Sequence, residues 1–341
     1  MPERNAVVFL QPQQVEVRQE SIPEPQAGQA LVRALYSAIS PGTEMLIYRG
    51  QFPTGLAVDE SLAALNADFA YPLEYGYALV GQVEAVGAGV DAALLGERVF
   101  AFQPHGCHFT CAADELKVIP TDIEPQDALF LSNMETAVSF VMDGAPLLGE
   151  GVVVFGQGIV GLLTVALLRR LSLAALVTFD CYDLRRKAAL EMGVSACFDP
   201  TTSGALDQAR NFLPHGADLA YEISGAPQAL DDALALTGYA GRVVIGSWYG
   251  AKPVALNLGG RFHRSRIRLI SSQVSTLAPE LRGRWTKERR FDLAWEMIRQ
   301  VQPARWITHT FALTDAPASY RLIDQHPAET IQVILSYENL Q

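Results

Sequence analysis

Three closely spaced glycines are the residues of this chain whose spacing most directly predicts chemistry. Gly156, Gly158 and Gly161 follow the apolar run 152–155 and precede a helix-like segment. In such a motif the first glycine permits a tight turn, the second lets the backbone approach a pyrophosphate, and the third lets the helix lie close to the strand. The N-terminus of that helix offers free N–H groups and the positive end of the helix dipole to the phosphates, and we expect Ile159 and Val160 of the turn to contact the cofactor as well. The motif therefore predicts a dinucleotide site.

An acidic residue ends the next apolar run, at about the distance that dinucleotide-binding proteins use. Asp180 follows the predicted strand 174–179 and can accept hydrogen bonds from the ribose hydroxyls of the adenosine half. A carboxylate here repels a 2′-phosphate, so we expect NAD as the cofactor, with NADP as the less favoured alternative. Arg185 and Arg186 keep that alternative open, because they lie early in the next predicted helix and could reach a phosphate.

Composition and charge limit the class of protein. The chain has 341 residues, enough for about two domains, with 49% hydrophobic and 18% charged residues. A net charge of −11 argues against nucleic acid and anionic membranes as partners and favours a small-molecule substrate. The four cysteines are too few and too uneven for a disulfide framework, and the short apolar run 6–10 does not predict a signal peptide. We expect a reduced, cytoplasmic protein.

The pattern of elements changes near residue 150. Before it, short strand-like segments separated by proline and glycine predict a compact β-rich domain; its least regular stretch is 51–70, where Asp59, Glu60 and 63–65 suggest a short helix. After it, strands alternate with helices, as in a doubly wound parallel sheet. The predicted strands there are 152–155, 174–179, 219–223, 242–245 and 267–271. We predict an α/β protein with one domain at 1–132, completed by 275–341, and a second at 133–274.

Three stretches of the first domain resemble the medium-chain dehydrogenase/reductase superfamily. They are Ser37–Glu44 (SAISPGTE), Gly76–Val86 (GYALVGQVEAV) and Gly96–Val99 (GERV). Together with the glycine motif, the resemblance covers nearly the whole chain. It implies a GroES-like β-rich domain, a Rossmann domain, hydride transfer with a nicotinamide cofactor, and a homodimer. The segment 39–44 is most similar to the bacteriochlorophyllide dehydrogenase type, which does not fix the substrate.

The zinc ligands of that superfamily are missing. Zinc-dependent members hold a catalytic zinc with a Cys in the first segment, a Gly-His-Glu in the second, and a Cys or carboxylate before the dinucleotide domain. This chain has Ser40-Pro41, Gly76-Tyr77-Ala78 and the vicinity of Ser132 at those places. Hydroxyl, phenol and methyl groups do not bind zinc at neutral pH. The sequence therefore predicts a zinc-free branch, with no catalytic zinc.

A second candidate metal cluster lies where zinc enzymes of this superfamily carry a structural zinc lobe. The stretch 105–111 contains His105, Cys107, His108 and Cys111. On a strand, positions 105, 107, 109 and 111 face one way and 108 the other, so four convergent ligands need a tight loop. We favour buried cysteines and histidines that line the cleft, and keep zinc as the alternative.

Without zinc, a side chain must pass the proton that accompanies the hydride. By resemblance, Thr43 takes the place of the proton-passing hydroxyl of zinc enzymes. Tyr77 takes that of the zinc-binding histidine, where a phenol could donate a proton or simply pack under the cofactor. Glu135 is a third acid/base candidate, although a structural helix-start carboxylate is an equal alternative.

Other candidates surround these. Ser224, Gly246 and Ser247 follow later strands and are expected to border the nicotinamide half of the cofactor. The expected substrate-pocket residues are Ser40, Glu44, His105, Asn133, Trp248 and Tyr249. Glu44 could instead pair with an arginine, and the two aromatic residues could belong to the core.

Basic residues are concentrated in one segment of this acidic chain. The segment 261–290 contains Arg261, Arg264, Arg266, Arg268, Arg282, Arg284, Lys287, Arg289 and Arg290. Arginines bind carboxylates and phosphates through paired hydrogen bonds, so these residues could recognise an anionic substrate or the pyrophosphate. Ion pairing between domains or subunits is the alternative, which we favour for most of them.

Taken together, these residues predict a zinc-independent, NAD(H)-dependent oxidoreductase that acts on an alcohol/carbonyl pair by hydride transfer. Two other functions remain open. A double-bond reductase for enones or quinones would use the same zinc-free site. A non-catalytic NAD-binding protein would need the glycine motif alone.

Overall fold

The structure, a computed structural model, describes residues 3–22, 24–53, 63–65 and 68–337. The chain divides into two compact units. Unit 1 consists of Met1–Ser132 and Ile298–Gln341, and unit 2 of Asn133–Met297. The predicted boundary after residue 132 coincides with this division. The segment 275–297, which we expected to complete the first domain, belongs instead to unit 2, where it is tied by a buried arginine described below.

The strands and helices are numbered in chain order. Strands β1 to β16 are Glu3–Gln11, Gln14–Ser21, Gln29–Ile39, Leu73–Glu74, Leu79–Val86, Arg98–Ala101, His108–Ala112, Lys117–Val118, Gly151–Phe155, Ala175–Phe179, Ala196–Phe198, Ala217–Glu222, Thr237–Ile245, Arg268–Ser271, Ile307–Ala312 and Gln332–Ser336. Helices α1 to α9 are Thr43–Tyr48, Pro125–Ala128, Leu131–Gly144, Ile159–Leu168, Asp183–Glu191, Ala205–Arg210, Pro227–Leu236, Lys287–Val301 and Ala316–Gln325.

Unit 1 is mainly antiparallel sheet, as the short N-terminal strands predicted. One sheet has the order β2-β1-β4, and the other has the order β15-β16-β3-β5-β6-β8, with β7 also paired to β3. Alternate residues of β3, among them Ala30, Val32 and Ala34, are buried in the core of this unit, as the two-residue period of a strand requires. In the irregular stretch 51–70, residues 63–65 form a 3-10 turn, while Asp59 and Glu60 lie outside the described residues.

The end of the chain returns to unit 1 beside its first site segment. Strand β16 pairs antiparallel with β3, so that Leu335 lies opposite Ser37 and Val333 opposite Ile39. Strand β15 pairs parallel with β16, and helix α9 packs against the same unit through the buried Tyr320. Side chains near the C-terminus therefore lie next to the segment Ser37–Glu44.

Unit 2 is the predicted doubly wound sheet. Its six strands are all parallel in the order β11-β10-β9-β12-β13-β14. Every residue of β9 and β10 is buried, as expected for strands covered on both faces. The strand order reverses between β9 and β12, which is where open parallel sheets bind ligands. Within the described residues, no helix combines the length and apolarity needed to cross a bilayer.

Candidate functional site

The glycine turn joins β9 to α4 in unit 2. Gly156 has a φ of +96°, and an added Cβ there would lie 2.7 Å from the Cα of Ser224. A Cβ at Gly161 would lie 2.0 Å from the carbonyl oxygen of Gly156, so a side chain there would push the helix off the turn. At Gly158 an added Cβ would meet a single atom within 4 Å, the Nη1 of Arg185 at 3.8 Å. The approach to the Gly158 backbone is therefore open, as close contact with a phosphate requires.

The first turn of α4 is open to an anion. The helix begins at Ile159 after Gly158, which has no side chain to cap it. Leu162 donates its N–H to the carbonyl of Gly158, so the N–H groups of Ile159, Val160 and Gly161 precede the first helical hydrogen bond. These groups and the space over Gly158 fit the pyrophosphate of a dinucleotide.

Asp180 is fixed by the turn itself. It is buried, its Oδ2 accepts a hydrogen bond from the Gln157 N–H at 2.7 Å, and its Oδ1 accepts one from the Tyr182 N–H at 2.8 Å. Each carboxylate oxygen can accept a further hydrogen bond, so both ribose hydroxyls can be accommodated. The same two bonds also stabilise the turn without any ligand.

The two arginines that follow lie in different places. The Arg185 guanidinium stacks on the Tyr182 ring at 4.8 Å from its centroid and lies beside Gly158. Arg186 donates from Nη1 to the Asp180 carbonyl at 2.9 Å and to Oδ2 of Asp199 at 3.4 Å. Arg185 is therefore the one placed near the expected phosphates, and Arg186 stabilises the end of β10.

A buried acid organises the expected nicotinamide side of unit 2. Glu222 ends β12, and its Oε1 accepts hydrogen bonds from the N–H and hydroxyl of Ser224, at 2.8 and 2.5 Å. Its Oε2 accepts one from the Tyr249 hydroxyl. Burial and then the Glu222 charge raise the pKa of Tyr249, so this phenol stays protonated. Glu222 was not among the predicted site residues, although its place at the carboxyl end of a strand is a usable signal.

Backbone N–H groups that follow β12 and β13 also make hydrogen bonds here. The Gly225 N–H donates to Oγ of Ser247 at 2.8 Å, and the Gly246 N–H donates to the Glu222 carbonyl at 2.9 Å. A Cβ on Gly246 would lie 2.3 Å from the Phe140 ring. Trp248 is 43% exposed and is not a core aromatic.

Glu135 has an ionic partner. Its Oε1 accepts hydrogen bonds from Nε and Nη2 of Arg290, at 3.1 and 2.6 Å, and both side chains are buried. Arg290 also donates to Ser139 Oγ at 2.9 Å and to the Val274 carbonyl at 2.5 Å. Glu135 therefore ties α3 to α8 and the loop after β14, which favours a structural role over acid/base chemistry. The neighbouring Asn133 is buried in the first turn of α3.

Contacts to the Ser40 hydroxyl bring Tyr77 and Thr43 together in unit 1. The Tyr77 hydroxyl donates to Oγ of Ser40 at 2.6 Å, and the N–H of Thr43 donates to the same oxygen at 3.3 Å. All three residues are partly exposed. Tyr77 also packs edge to face against Tyr75, with 6.1 Å between ring centroids. All three are predicted site residues, and the structure brings the Tyr77 hydroxyl and the Thr43 backbone to the Ser40 hydroxyl.

A fully buried acid lies directly beneath them. Oε1 of Glu44 accepts a hydrogen bond from the Ser40 N–H at 2.7 Å, and its Oε2 lies 3.0 Å from Nε2 of His105 and accepts one from the Tyr320 hydroxyl at 2.7 Å. Glu44 and His105 have no exposed surface. The partner of Glu44 is thus a histidine and not the arginine that we considered.

The hydrogen bonds continue from the far side of the imidazole. Nδ1 of His105 lies 2.7 Å from Oγ of Ser37, which lies 2.7 Å from the hydroxyl of Tyr337. Tyr320 and Tyr337 were not among the predicted site residues. No local pattern could have placed them there, because each lies far along the chain from its partner.

The histidines and cysteines of the stretch 105–111 have contacts of their own. Among the described residues, no group of three or more His, Cys, Asp and Glu side chains is arranged to hold a metal ion. In the stretch 105–111, burial raises the pKa of Cys111 to about 12, which keeps the thiol protonated. Cys107 Sγ accepts a hydrogen bond from the Asn5 N–H at 3.1 Å, and burial lowers the pKa of His108. Buried structural side chains, our favoured interpretation, agree with these contacts.

The basic segment has mostly local contacts. Arg261 donates to the Thr237 carbonyl at 2.7 Å, and Arg289 stacks on Trp285 at 3.9 Å from its ring centroid. Arg290 is the buried partner of Glu135, whereas Arg264 and Arg266 are exposed. Arg261, Arg289 and Arg290 thus have contacts within unit 2, each with a different partner.

Comparisons with known proteins find dehydrogenases among the similar sequences. The family model for zinc-binding dehydrogenases matches residues 160–290. The D-guloside 3-dehydrogenase of Escherichia coli (strain K12) is 24% identical over 332 residues, which cover 91% of this chain and 93% of the relative.

Two solved structures have the same fold. An alcohol dehydrogenase of E. coli CFT073 complexed with NADH superposes with a TM-score of 0.80 at 20% identity, over 98% of this chain and 99% of that one. A zinc-binding dehydrogenase of Sinorhizobium meliloti 1021 bound to NADP gives 0.78 at 20% identity, over 98% and 100%.

Proposed function

Because the chain belongs to the medium-chain dehydrogenase/reductase superfamily, we propose that it is a zinc-independent, NAD(H)-dependent oxidoreductase acting on an alcohol/carbonyl pair. A nicotinamide-dependent oxidoreductase is what its relatives support. The finer statement rests on one observation, the hydrogen bond between Tyr77 and Ser40, which we call the hydroxyl pair.

The hydroxyl pair has a proton to give. Ser40 Oγ accepts hydrogen bonds from the Tyr77 hydroxyl and the Thr43 N–H, which occupy both of its lone pairs. Its own proton therefore points to a third group, and Ser40 is partly exposed. In carbonyl reduction, Ser40 gives this proton to the substrate oxygen and takes one from Tyr77, whose oxygen takes one from water. Alcohol oxidation reverses the order.

A bound nicotinamide supplies or takes up the hydride. The glycine turn, the first turn of α4 and the Asp180 carboxylate would hold the cofactor. The Asp180 carboxylate disfavours a 2′-phosphate and supports NAD, while Arg185 beside Gly158 is the group through which NADP would be accommodated.

The chemistry of the donor set supports a reaction without zinc. The Tyr77 hydroxyl bonds to the Ser40 hydroxyl, and the buried Glu44 and His105 already bind each other. Hydroxyls do not ligate zinc at neutral pH. Elemental analysis that finds about one zinc per chain in the purified protein would contradict this part of the proposal.

We propose a neutral, hydroxylated substrate. The accessible side chains of Ser40, Thr43 and Tyr77 carry no charge and offer hydrogen bonds to alcohol groups. The relative named D-guloside 3-dehydrogenase supports a secondary alcohol of a sugar or polyol. We also propose that this chain acts on a small molecule and forms a homodimer.

The test is a panel of sugar glycosides, polyols and 2,3-butanediol with NAD, followed by NADH fluorescence. Tyr77→Phe and Ser40→Ala should lower kcat by about 10²–10⁴-fold on the best substrate and leave NADH binding unchanged. Thr43→Val should cost far less, because valine keeps the backbone N–H that contacts Ser40. Tyr71→Phe, which removes a phenol bonded to the Ile47 carbonyl, is the matched control.

Other outcomes identify the alternatives. NADH consumption with enones but not with ketones would indicate a double-bond reductase. NADH binding without turnover of any alcohol, carbonyl or enone would indicate a non-catalytic NAD-binding protein. Wild-type kcat in Tyr77→Phe would remove the hydroxyl pair from the mechanism.

Cofactor choice has its own test. Asp180→Ser should weaken NADH binding by about 10-fold or more, the value of a hydrogen bond to a charged group, and should improve NADPH binding. Asp183→Ser, which removes an exposed acid three positions further on, is the control for net charge. Equal effects of the two substitutions would show that the ribose contact is absent.

A further inference from the structure

Five buried polar side chains take no direct part in the proposed proton transfer. They are Tyr320, Glu44, His105, Ser37 and Tyr337, named here the buried chain, and all are at most 4% exposed. Burying polar groups is unfavourable unless each is hydrogen-bonded, and an apolar core could have filled this space. Their connection to the hydroxyl pair suggests what they do.

One end of the hydroxyl pair is attached to Glu44. The Ser40 N–H donates to Glu44 Oε1 at 2.7 Å, so the carboxylate fixes the backbone that carries the Ser40 hydroxyl. The other carboxylate oxygen contacts His105 and Tyr320, which lie on different elements of unit 1. A shift of any of these partners would therefore be transmitted to Ser40.

The other end of the pair is attached to His105. The backbone N–H of His105 donates to the Tyr75 carbonyl at 3.2 Å, and the imidazole ring packs on Gly76, where an added Cβ would lie 2.9 Å from the ring. Both contacts are made with the two residues before Tyr77. The backbone and the ring of His105 together therefore set the path of the chain that carries the phenol.

We infer that Glu44 and His105, held by the rest of the buried chain, are positioning residues that set the direction of the hydroxyl pair for proton transfer. This inference rests on the function proposed above. The hydrogen bonds can run in one consistent direction: with a proton on Nε2, the neutral imidazole donates to Glu44 and accepts from Ser37, which accepts from Tyr337. Burial and then the Glu44 charge raise the pKa of Tyr320 well above its ordinary value, so this phenol remains a donor.

The experiment is a double-mutant cycle on the best alcohol of the panel. His105→Phe keeps a ring but removes both hydrogen bonds, and should lower kcat by about 10²-fold with NADH affinity unchanged. In the Tyr77→Phe background the same substitution should cost less than about threefold, because the group that it positions is already gone. His105→Gln, which can keep the bond to Glu44, should recover part of kcat. If His105→Phe does not fold, His105→Gln takes its place in the cycle.

A matched control separates positioning from loss of stability. Asp324→Asn cuts a different link between the α1 region and α9, the ion pair with Arg49, without touching the hydroxyls. It should lower the unfolding midpoint and leave kcat unchanged. Losses from His105→Phe and Tyr77→Phe that multiply, or a wild-type kcat in His105→Phe, would overturn the inference. A wild-type kcat in Tyr77→Phe overturns the proposed function instead.

A second measurement needs no substrate. In protein labelled with ¹³C at the tyrosine ζ-carbon, the Tyr77 signal is the one lost in Tyr77→Phe. It should shift in Glu44→Gln and His105→Phe and stay in place in Asp324→Asn. A Tyr77 signal that does not respond to the first two substitutions would overturn the positioning role whatever the panel shows.

Discussion

Each unit contains a buried carboxylate, and the two have different kinds of partner. Glu135 in unit 2 is 3% exposed and pairs with the guanidinium of Arg290, which is also bound to Ser139 and a backbone carbonyl. Glu44 in unit 1 is fully buried and is surrounded by a backbone N–H, an imidazole and a phenol. Both residues were site candidates on sequence alone.

The difference concerns what each partner can do with a proton. A guanidinium stays charged at any working pH, so the Glu135 ion pair is a fixed link between helices. The partners of Glu44 include an imidazole, a phenol and the backbone N–H of Ser40, the residue whose hydroxyl belongs to the hydroxyl pair. A buried acid is thus a functional candidate when its donors lead to an accessible hydroxyl, and a structural one when they lead to an arginine.

The largest expected effect comes from breaking the ion pair. Arg290→Met leaves Glu135 buried without a counter-charge and should lower the free energy of unfolding by about 3–5 kcal/mol, measured by urea denaturation. The double variant Arg290→Met with Glu135→Leu should recover most of that loss, because no charge remains buried. A loss below about 1 kcal/mol in the single variant would contradict the assignment of Glu135 as a structural link.

Glu44→Gln should cost less stability. The amide keeps an acceptor for the Ser40 N–H, and no permanent cation is left unpaired, so the expected loss is about 1–3 kcal/mol. The same substitution should reduce kcat, which Arg290→Met with Glu135→Leu should not. If Glu44→Gln destabilises the chain as much as Arg290→Met and spares kcat, the two carboxylates play the same role.

Glu150 in unit 2 is a third paired carboxylate, with an arginine as its partner but with a side chain that is 13% exposed. Arg242 donates to its two oxygens at 2.8 and 2.7 Å. Burial raises the pKa of Glu150, but the hydrogen bonds from Arg242 and from the Leu147 N–H, with the charge of Arg242, outweigh it and hold the pKa below its ordinary value. The folded pKa is thus below the unfolded one, so the pair stabilises the fold above about pH 4.5 and its contribution is lost as pH falls further.

The size of this contribution is measurable. Arg242→Met should cost about 1 kcal/mol at pH 7, and the difference from wild type should shrink as the pH is lowered from 5 to 3. Urea denaturation at several pH values gives both quantities. A difference that stays constant over this range would mean that Glu150 does not titrate through the pair.

The smallest effect is expected in the basic segment. Arg264→Ala and Arg266→Ala should change NADH affinity less than about twofold, because both side chains are exposed and the glycine turn has its own donors. NADH fluorescence titration gives the affinity. A tenfold loss of NADH affinity would indicate that these arginines bind the cofactor phosphates. A tenfold rise in KM for an anionic substrate would support a role in substrate binding.

The residues expected to bind the dinucleotide could be predicted from the sequence because they lie near each other in the chain. Gly156 to Gly161 form one turn, and the strand order that brings Asp180 beside Gln157 follows from a single strand-helix-strand unit. Steric requirements at Gly161 and the strand pattern are both local properties. The segment 275–297 was assigned to the wrong unit because the contact that holds it, between Arg290 and Glu135, joins distant positions.

The sequence by itself determined the strand-turn-helix motif and the two fold classes, and it predicted Ser40 and Tyr77 as site residues. Only the tertiary structure decided which acid accompanies them. Glu44 meets Tyr320, which the C-terminal helix α9 supplies, and Ser37 meets Tyr337, which follows the strand β16 paired with β3. Hydrogen bonds of that kind leave no periodic trace in a sequence, because their partners are set by how the sheet closes and not by spacing along the chain.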